Sequence, residues 1–146
     1  MKISVIAVGK MKDRAQKALY DDYAARISPA PALIELSQTD KAKEARDILA
    51  KIDPDAFTVV LDERGRELSS TQFADVMQIA MNNGKSHLQA VIGGADGLDE
   101  SVRTRADLVL AFGRLTWPHM LARIMLLEQL YRARQILAGH PYHREG

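Results

Sequence analysis

Thr116-Trp117-Pro118-His119-Met120-Leu121-Ala122-Arg123-Ile124-Met125-Leu126-Leu127 opens the last helix of this chain. From Met120 to Leu127 only Arg123 is polar. A helix that is apolar nearly all round needs cover on more than one side. A chain of 146 residues offers one core, so a second copy of the chain is the expected cover for the other side. A central helix in a monomer is the competing reading. Pro118 suits the first helical turn, and the pattern runs to about Ala138, where Gly139 ends it. The tail His140-Pro141-Tyr142-His143-Arg144-Glu145-Gly146 then follows. Chain ends are usually mobile and chemically bland. A compact group of imidazole, phenol and guanidinium there reads as a site built at the terminus.

Working back from this helix, the chain alternates strand and helix. Leu108 to Phe112 is a strand, and Asp99 caps a short helix carrying Val102 and Ala106. His87 to Ile92 is a strand running into Gly93-Gly94-Ala95-Asp96-Gly97. Ser69 or Ser70 caps a helix with Phe73, Val76, Met77 and Ala80 inward, ended by Asn82-Asn83-Gly84. Phe57 to Leu61 is a buried strand, and Asp62 to Glu67 reads as a polar loop. Asp40 to Ile52 is a charged helix with the stripe Ala42, Ala45, Ile48, Leu49 and Ile52; Ala32 to Leu36 is a short strand. Asp13 to Arg26 is an amphipathic helix with Ala15, Ala18, Leu19, Tyr23 and Ile27 on one face. Ile3 to Val8 is the first strand, ended by Gly9. Five such alternations predict an α/β fold, a mostly parallel sheet with helices on both faces. No linker divides the chain, so residues 1–146 are read as a single domain.

Bulk charge names no partner, since Lys plus Arg number 20 and Asp plus Glu 19. From Arg103 to Arg144 every cationic side chain other than histidine is arginine, and the acids are Asp107 and Glu128. Arginine suits phosphate recognition, although it also serves ordinary ion pairs. The absence of cysteine excludes disulfides and thiolate metal sites. No segment has the length or apolarity of a membrane span, and the N-terminus lacks a signal-peptide pattern. A cytoplasmic protein with no membrane partner and no metal is expected.

Three strand ends converge in this reading: Leu61-Asp62, Gly93-Gly94 and Phe112-Gly113-Arg114-Leu115-Thr116-Trp117. Open α/β sheets bind ligands at the carboxyl ends of their strands. Gly93 to Gly97 has neither dinucleotide-fingerprint nor phosphate-loop spacing. With little charge at these ends, a flat, partly apolar ligand such as an adenosine fits better than a phosphate cofactor. Trp117 alone reads as packing over the sheet. His87 reads as structural, and His140 with His143 as an unpromising metal pair without acids nearby. Glu128, Arg132 and Gln135 share one face of the last helix, a polar stripe turned towards the tail or a substrate.

Together these segments resemble one family: Ile3 to Gly9, Val59 to Asp62, Val91 to Leu98, Leu115-Thr116-Trp117-Pro118-His119, Glu128-Gln129-Leu130-Tyr131-Arg132-Ala133 and Pro141-Tyr142-His143-Arg144. Over its whole length the chain resembles the RlmH family, small SPOUT-class methyltransferases of large-subunit ribosomal RNA. The resemblance implies an α/β domain with a deep C-terminal trefoil knot, an exception to unthreaded chains. It implies S-adenosylmethionine as cofactor, a homodimer, and N3-methylation of a pseudouridine in 23S rRNA, with the assembled ribosome as substrate. Carried over, Leu61, Gly93, Phe112, Gly113, Arg114, Leu115, Thr116 and Trp117 would hold the cofactor. Nothing is carried over for Arg64 to Glu67. Tyr142, His143, Arg144, Arg132 and Glu128 are the candidates for binding and activating the base, with the general base unassigned. Without an appended RNA-binding domain, binding to free RNA is expected to be weak and salt-sensitive. The alternatives are a SPOUT methyltransferase with another RNA target and a non-catalytic ribosome-binding factor.

Overall fold

The computed structural model describes residues 1–144. The elements are β1 (Lys2–Val8), α1 (Arg14–Ala25), β2 (Ala32–Leu36), α2 (Lys41–Lys51), β3 (Phe57–Glu67), α3 (Ser70–Asn82), β4 (His87–Ile92), α4 (Glu100–Arg105), β5 (Leu108–Ala111) and α5 (His119–Leu137). The sheet order is β2-β1-β4-β3-β5, and every pairing is parallel. Side chains alternate between the faces. Ile3, Val5 and Ala7 of β1 join a core with α1, α3 and α5, whereas Ile6 and Val8 join Ala45, Ile48 and Val102 of α2 and α4. Helices thus cover both faces, as the alternation predicts. No helix among the described residues is long and apolar enough to cross a membrane.

Helix starts follow the capping side chains. Asp13, Asp40, Ser69 and Asp99 each accept a hydrogen bond from a backbone N–H of the first turn. Ser69, not Ser70, is the cap of α3, and Gln72 completes a reciprocal capping box. Pro118 is itself the N-cap of α5 rather than part of its first turn.

The expected inward faces of α1 and α2 need correction. Ala15, Ala18 and Leu19 are exposed, whereas Ile27 and Tyr23 lie inward as expected, joined by buried Tyr20 and half-buried Ala24. A 3.6-residue period fits two overlapping stripes on α1, and packing against α5 selects the one with the large aromatic. On α2, Ala42 and Leu49 are exposed while Glu44 is buried. The Glu44 carboxylate folds back to accept the Thr39 N–H at 2.7 Å, which compensates its burial.

The stretch Asp62 to Glu67, expected as a loop, belongs to β3. Val59 to Leu61 pair with Leu108 to Leu110; the register then shifts, and Arg66 and Glu67 pair with Leu110 and Ala111. The residues between arch over β5 at very close range. A Cβ on Gly65 would stand 2.6 Å from the Val109 carbonyl carbon and oxygen, so only glycine fits this crossing. β5 ends at Ala111, one residue earlier than expected.

Candidate active site

The ends of β3, β4 and β5 enclose a cavity of about 590 Å³. Its walls include Leu61, Ile92, Leu98, Phe112, Leu115, Trp117 and Ala122. Of the residues expected to hold a cofactor, Leu61, Gly93, Phe112, Gly113, Leu115, Thr116 and Trp117 line it; Arg114 does not and is exposed. The loop after β5 turns at Gly113, whose φ of 95° is a left-handed conformation. Trp117 does not pack over the sheet. It is 42% exposed at the cavity rim, with its indole N–H donating to the Phe112 carbonyl at 3.1 Å.

Gly93 is constrained by its own loop as much as by any ligand. A Cβ there would lie 2.8 Å from Leu98 Cγ and 3.2 Å from the Gly97 carbonyl carbon. The Gly94–Gly97 bridge closes this loop, and Gly97 adopts a φ of 76°.

The strand ends carry more charge than the sequence suggests, because Lys41, Asp62, Glu63, Arg64 and Asp96 also line the cavity. Thr116 Oγ1 donates to Glu63 Oε2 at 2.8 Å and ties the two lips together. Asp62, with a side chain only 8% exposed, stands 3.8 Å from Arg103, which donates to the Leu98 carbonyl at 2.6 Å. Glu63 and Lys41 were not legible as site residues. Both come from segments whose place at the cavity depends on the β3 arch and the packing of α2.

A second cluster forms about 15 Å further along α5, counted from Ala122 to Arg132. Glu128 Oε1 accepts from Arg132 Nε at 2.7 Å and from the Tyr142 hydroxyl at 3.4 Å. Arg132 Nη1 donates to His143 Nδ1 at 3.1 Å. A guanidinium cannot accept, so Nδ1 is unprotonated and a neutral His143 carries its proton on Nε2. The Arg132 guanidinium lies 4.9 Å over the Tyr142 ring, and Tyr142 meets Tyr131 edge-on with centroids 4.8 Å apart. Burial and the adjacent Glu128 carboxylate push the Tyr142 phenol above its ordinary value. The Glu128 hydrogen bond holds Arg132 still more firmly charged. The network continues from Glu128 to Gln129, and Ser70 Oγ donates to Gln129 Oε1 at 2.7 Å.

The structure therefore brings together Glu128, Arg132, Tyr142 and His143 and leaves Arg144 exposed. Glu145 and Gly146 of the tail lie outside the described residues. His140 Nδ1 accepts the Tyr142 N–H at 3.2 Å, which shapes the turn into the tail. His87 is engaged structurally, with Ser4 Oγ at 2.7 Å and Asp53 Oδ2 at 3.0 Å.

Arg123, expected merely as the one polar residue of an apolar run, is the largest fully buried side chain, 1% exposed. It pairs with Glu35 at 2.7 Å and donates to the Val8 and Gly9 carbonyls, pinning the first turns of α5 to the ends of β1 and β2. Burial opposes charge on Glu35, but the Met11 N–H and Arg123 outweigh it and hold its carboxyl below the ordinary value.

A family profile described as "Predicted SPOUT methyltransferase" matches residues 1–143. Relatives named ribosomal RNA large subunit methyltransferase H include one from Paramagnetospirillum magneticum, 45% identical over 99% of both chains, and one from Brucella anthropi, 46% identical over 99% of both. Among solved structures, a ribosomal RNA small subunit methyltransferase E from Neisseria gonorrhoeae, bound to S-adenosyl methionine, superposes with a TM-score of 0.54 at 13% identity. That match covers 94% of this chain, which spans 66% of the other's length, and it concerns the fold alone. With a full-length profile match and relatives of this identity, the chain belongs to the SPOUT methyltransferases, in the family of ribosomal RNA large subunit methyltransferase H.

Proposed function

We propose that this chain transfers a methyl group from S-adenosylmethionine to N3 of a pseudouridine in 23S rRNA, on the assembled ribosome. In this reading residues 1–146 act as one cytoplasmic catalytic domain with a trefoil knot near the C-terminus. Support for the knot comes from the Asp62–Gly65 arch, which rides directly on β5. The cofactor suits the cavity at the three strand ends. Apolar walls accommodate an adenosine, glycines keep the backbone accessible, and Glu63 and Asp62 complement a cationic sulfonium and ammonium. When bound, S-adenosylmethionine supplies a methyl group already activated on sulfur, so the protein mainly has to align the attacking atom.

The tail cluster carries the reading. The target nitrogen is a weakly acidic imide, and passing its proton to solvent water leaves an anion that needs donors and positive charge. Arg132 is held charged, Tyr142 is held protonated, and His143 stands against Arg132 at 3.1 Å. These groups act as stabilisers of the anion. Glu128 orients them, since its carboxylate already accepts from Arg132, Tyr142 and Gln129. Arg144, exposed beside them, is left to meet the RNA.

Within one chain the cavity and the cluster sit at opposite ends of an α5 stretch about 15 Å long. A homodimer resolves this separation. Two copies of α5 packed antiparallel about Met125 would set His119 of one opposite Arg132 of the other, because Met125 lies near the midpoint. The surface there is an apolar groove of about 600 Å³ that includes Leu19, Leu121 and Met125. An isologous contact of this kind buries the same patch on both copies. The site is then shared, with the cofactor cavity from one copy and the tail from its partner.

The test is mass mapping of 23S rRNA from a strain lacking this gene, before and after treating its ribosomes with the purified protein and S-adenosylmethionine. The expected result is a pseudouridine that lacks an N3-methyl and gains one on treatment. An N3-methyl that persists in the deletion strain would overturn the substrate.

A further inference from the structure

A second groove, of about 710 Å³, opens at the ends of β1 and β2, beside the cofactor cavity. Its polar lining is Lys10, Lys12, Ser37, Gln38, Glu35 and His119. Glu35, the one acid, is already engaged by buried Arg123 at 2.7 Å and by the Met11 N–H at 3.0 Å. Arg123 and Glu35 cancel, so Lys10 and Lys12 give the groove its charge. Both lysines are exposed, and neither makes an ion pair among the described residues. The floor is Gly9, at a φ of 95°. Around it stand Met120, His119 and Gln38, at 3.5 to 4.0 Å from where a Cβ would be, and it is the left-handed backbone that favours glycine at this turn. His119 lines both this groove and the cofactor cavity and forms the wall between them.

We propose that this groove holds a backbone phosphate of the rRNA strand that carries the target base, with Lys10 and Lys12 as its counter-charges and Gln38 and His119 as neighbouring donors. The proposal rests on the methyltransferase reading and deepens it. Lysines are compact point charges, suited to a phosphate without reading sequence. A nucleotide strand gripped beside His119 and extending over that wall arrives at the cofactor cavity in one register. This gives the domain a local way to orient its substrate.

The experiment compares wild type with the Lys10→Ala/Lys12→Ala double variant. Steady-state methylation of ribosomes and cofactor-free ribosome pelleting are followed over about 50 to 200 mM monovalent salt at fixed magnesium. The expected result is a KM and a pelleting Kd for the ribosome raised about tenfold, with cofactor affinity by titration unchanged. The log–log salt slope should become shallower by about 0.7, for one phosphate of a single strand. The Lys10→Arg/Lys12→Arg variant should restore both, and matched thermal melts check folding; Lys10→Gln alone serves if the double variant melts early. An unchanged Kd overturns the proposal, and so does a weakened Kd with the wild-type salt slope, because that contact is not with phosphate. A wild type that pellets with ribosomes but never methylates them sinks the methyltransferase reading instead, while the pelleting comparison still decides the groove.

Discussion

Tyr20 is 5% exposed, and no group of the described residues reaches its hydroxyl. Burial pushes its phenol up to about 12 from an ordinary 10.0, with Arg123 nearby pulling the other way. Folding therefore favours the protonated form. The stability that this adds is fully present below pH 10.0 and is lost as pH rises towards about 12. Tyr20→Phe removes the ionisable group together with a buried unpaired hydroxyl. Urea unfolding should find the variant at least as stable as wild type at neutral pH, and near pH 11 ahead by about 1 kcal/mol more than that. Equal alkaline losses in the two proteins would count against the burial of this phenol. The same scale separates two meanings of glycine. The sequence marked Gly93 as a place where a ligand approaches, yet its nearest obstacle is Leu98 at 2.8 Å, inside its own loop. Gly65 carries no such mark, although a Cβ there would stand 2.6 Å from the Val109 backbone. No local pattern announces such a crossing, because the obstructing atoms come from a strand more than forty residues later in the chain.

α5 was legible as an element, and its apolar run placed it in the core. Its polar stripe was legible as well: Glu128 and Arg132 meet the tail as the helical spacing suggests. The burial of Arg123 was not legible, because a pattern counts polar residues without knowing whether a partner waits for them. Glu35, on a strand far away in sequence, supplies that partner. α1 and α2 show the converse error in part: Ala15, Ala18, Leu19, Ala42 and Leu49 face outward, while Ile27, Ala45, Ile48 and Ile52 of the same expected stripes are buried. The tail leans on α5 through Tyr131, Glu128 and Arg132, and its described residues add no strand to the sheet. Deleting residues 142–146 should therefore leave the far-ultraviolet spectrum intact and the affinity for S-adenosylmethionine within about threefold of wild type, and should lower methylation of ribosomes by at least about a hundredfold. Methylation at the wild-type rate by the truncated protein would reduce the tail to a structural role.

For the whole molecule, the question is what covers Leu19, which is 45% exposed, and Leu121, which is 39% exposed. In the proposed dimer this groove would be the contact, with the active site shared across it. Met125→Glu would place a carboxylate at the centre of an apolar contact, where an unpaired buried charge costs several kcal/mol. Sedimentation should show wild type as a dimer and the variant as a folded monomer that still titrates with cofactor but does not methylate. A variant that stays dimeric, or a monomer with full activity, would contradict a shared site. The sequence by itself determined the alternation of strands and helices, the parallel sheet with two covered faces and the chemistry at the chain end. Each of these is written in residue periodicity and composition over a few neighbouring positions. Only the tertiary structure decided that β3 continues through Asp62 to Glu67 and that Glu63 reaches Thr116. It also buried Arg123 and placed the cluster that meets the tail about 15 Å along α5 from the cavity at the strand ends. Those outcomes depend on contacts between distant segments, whose energies no local window contains.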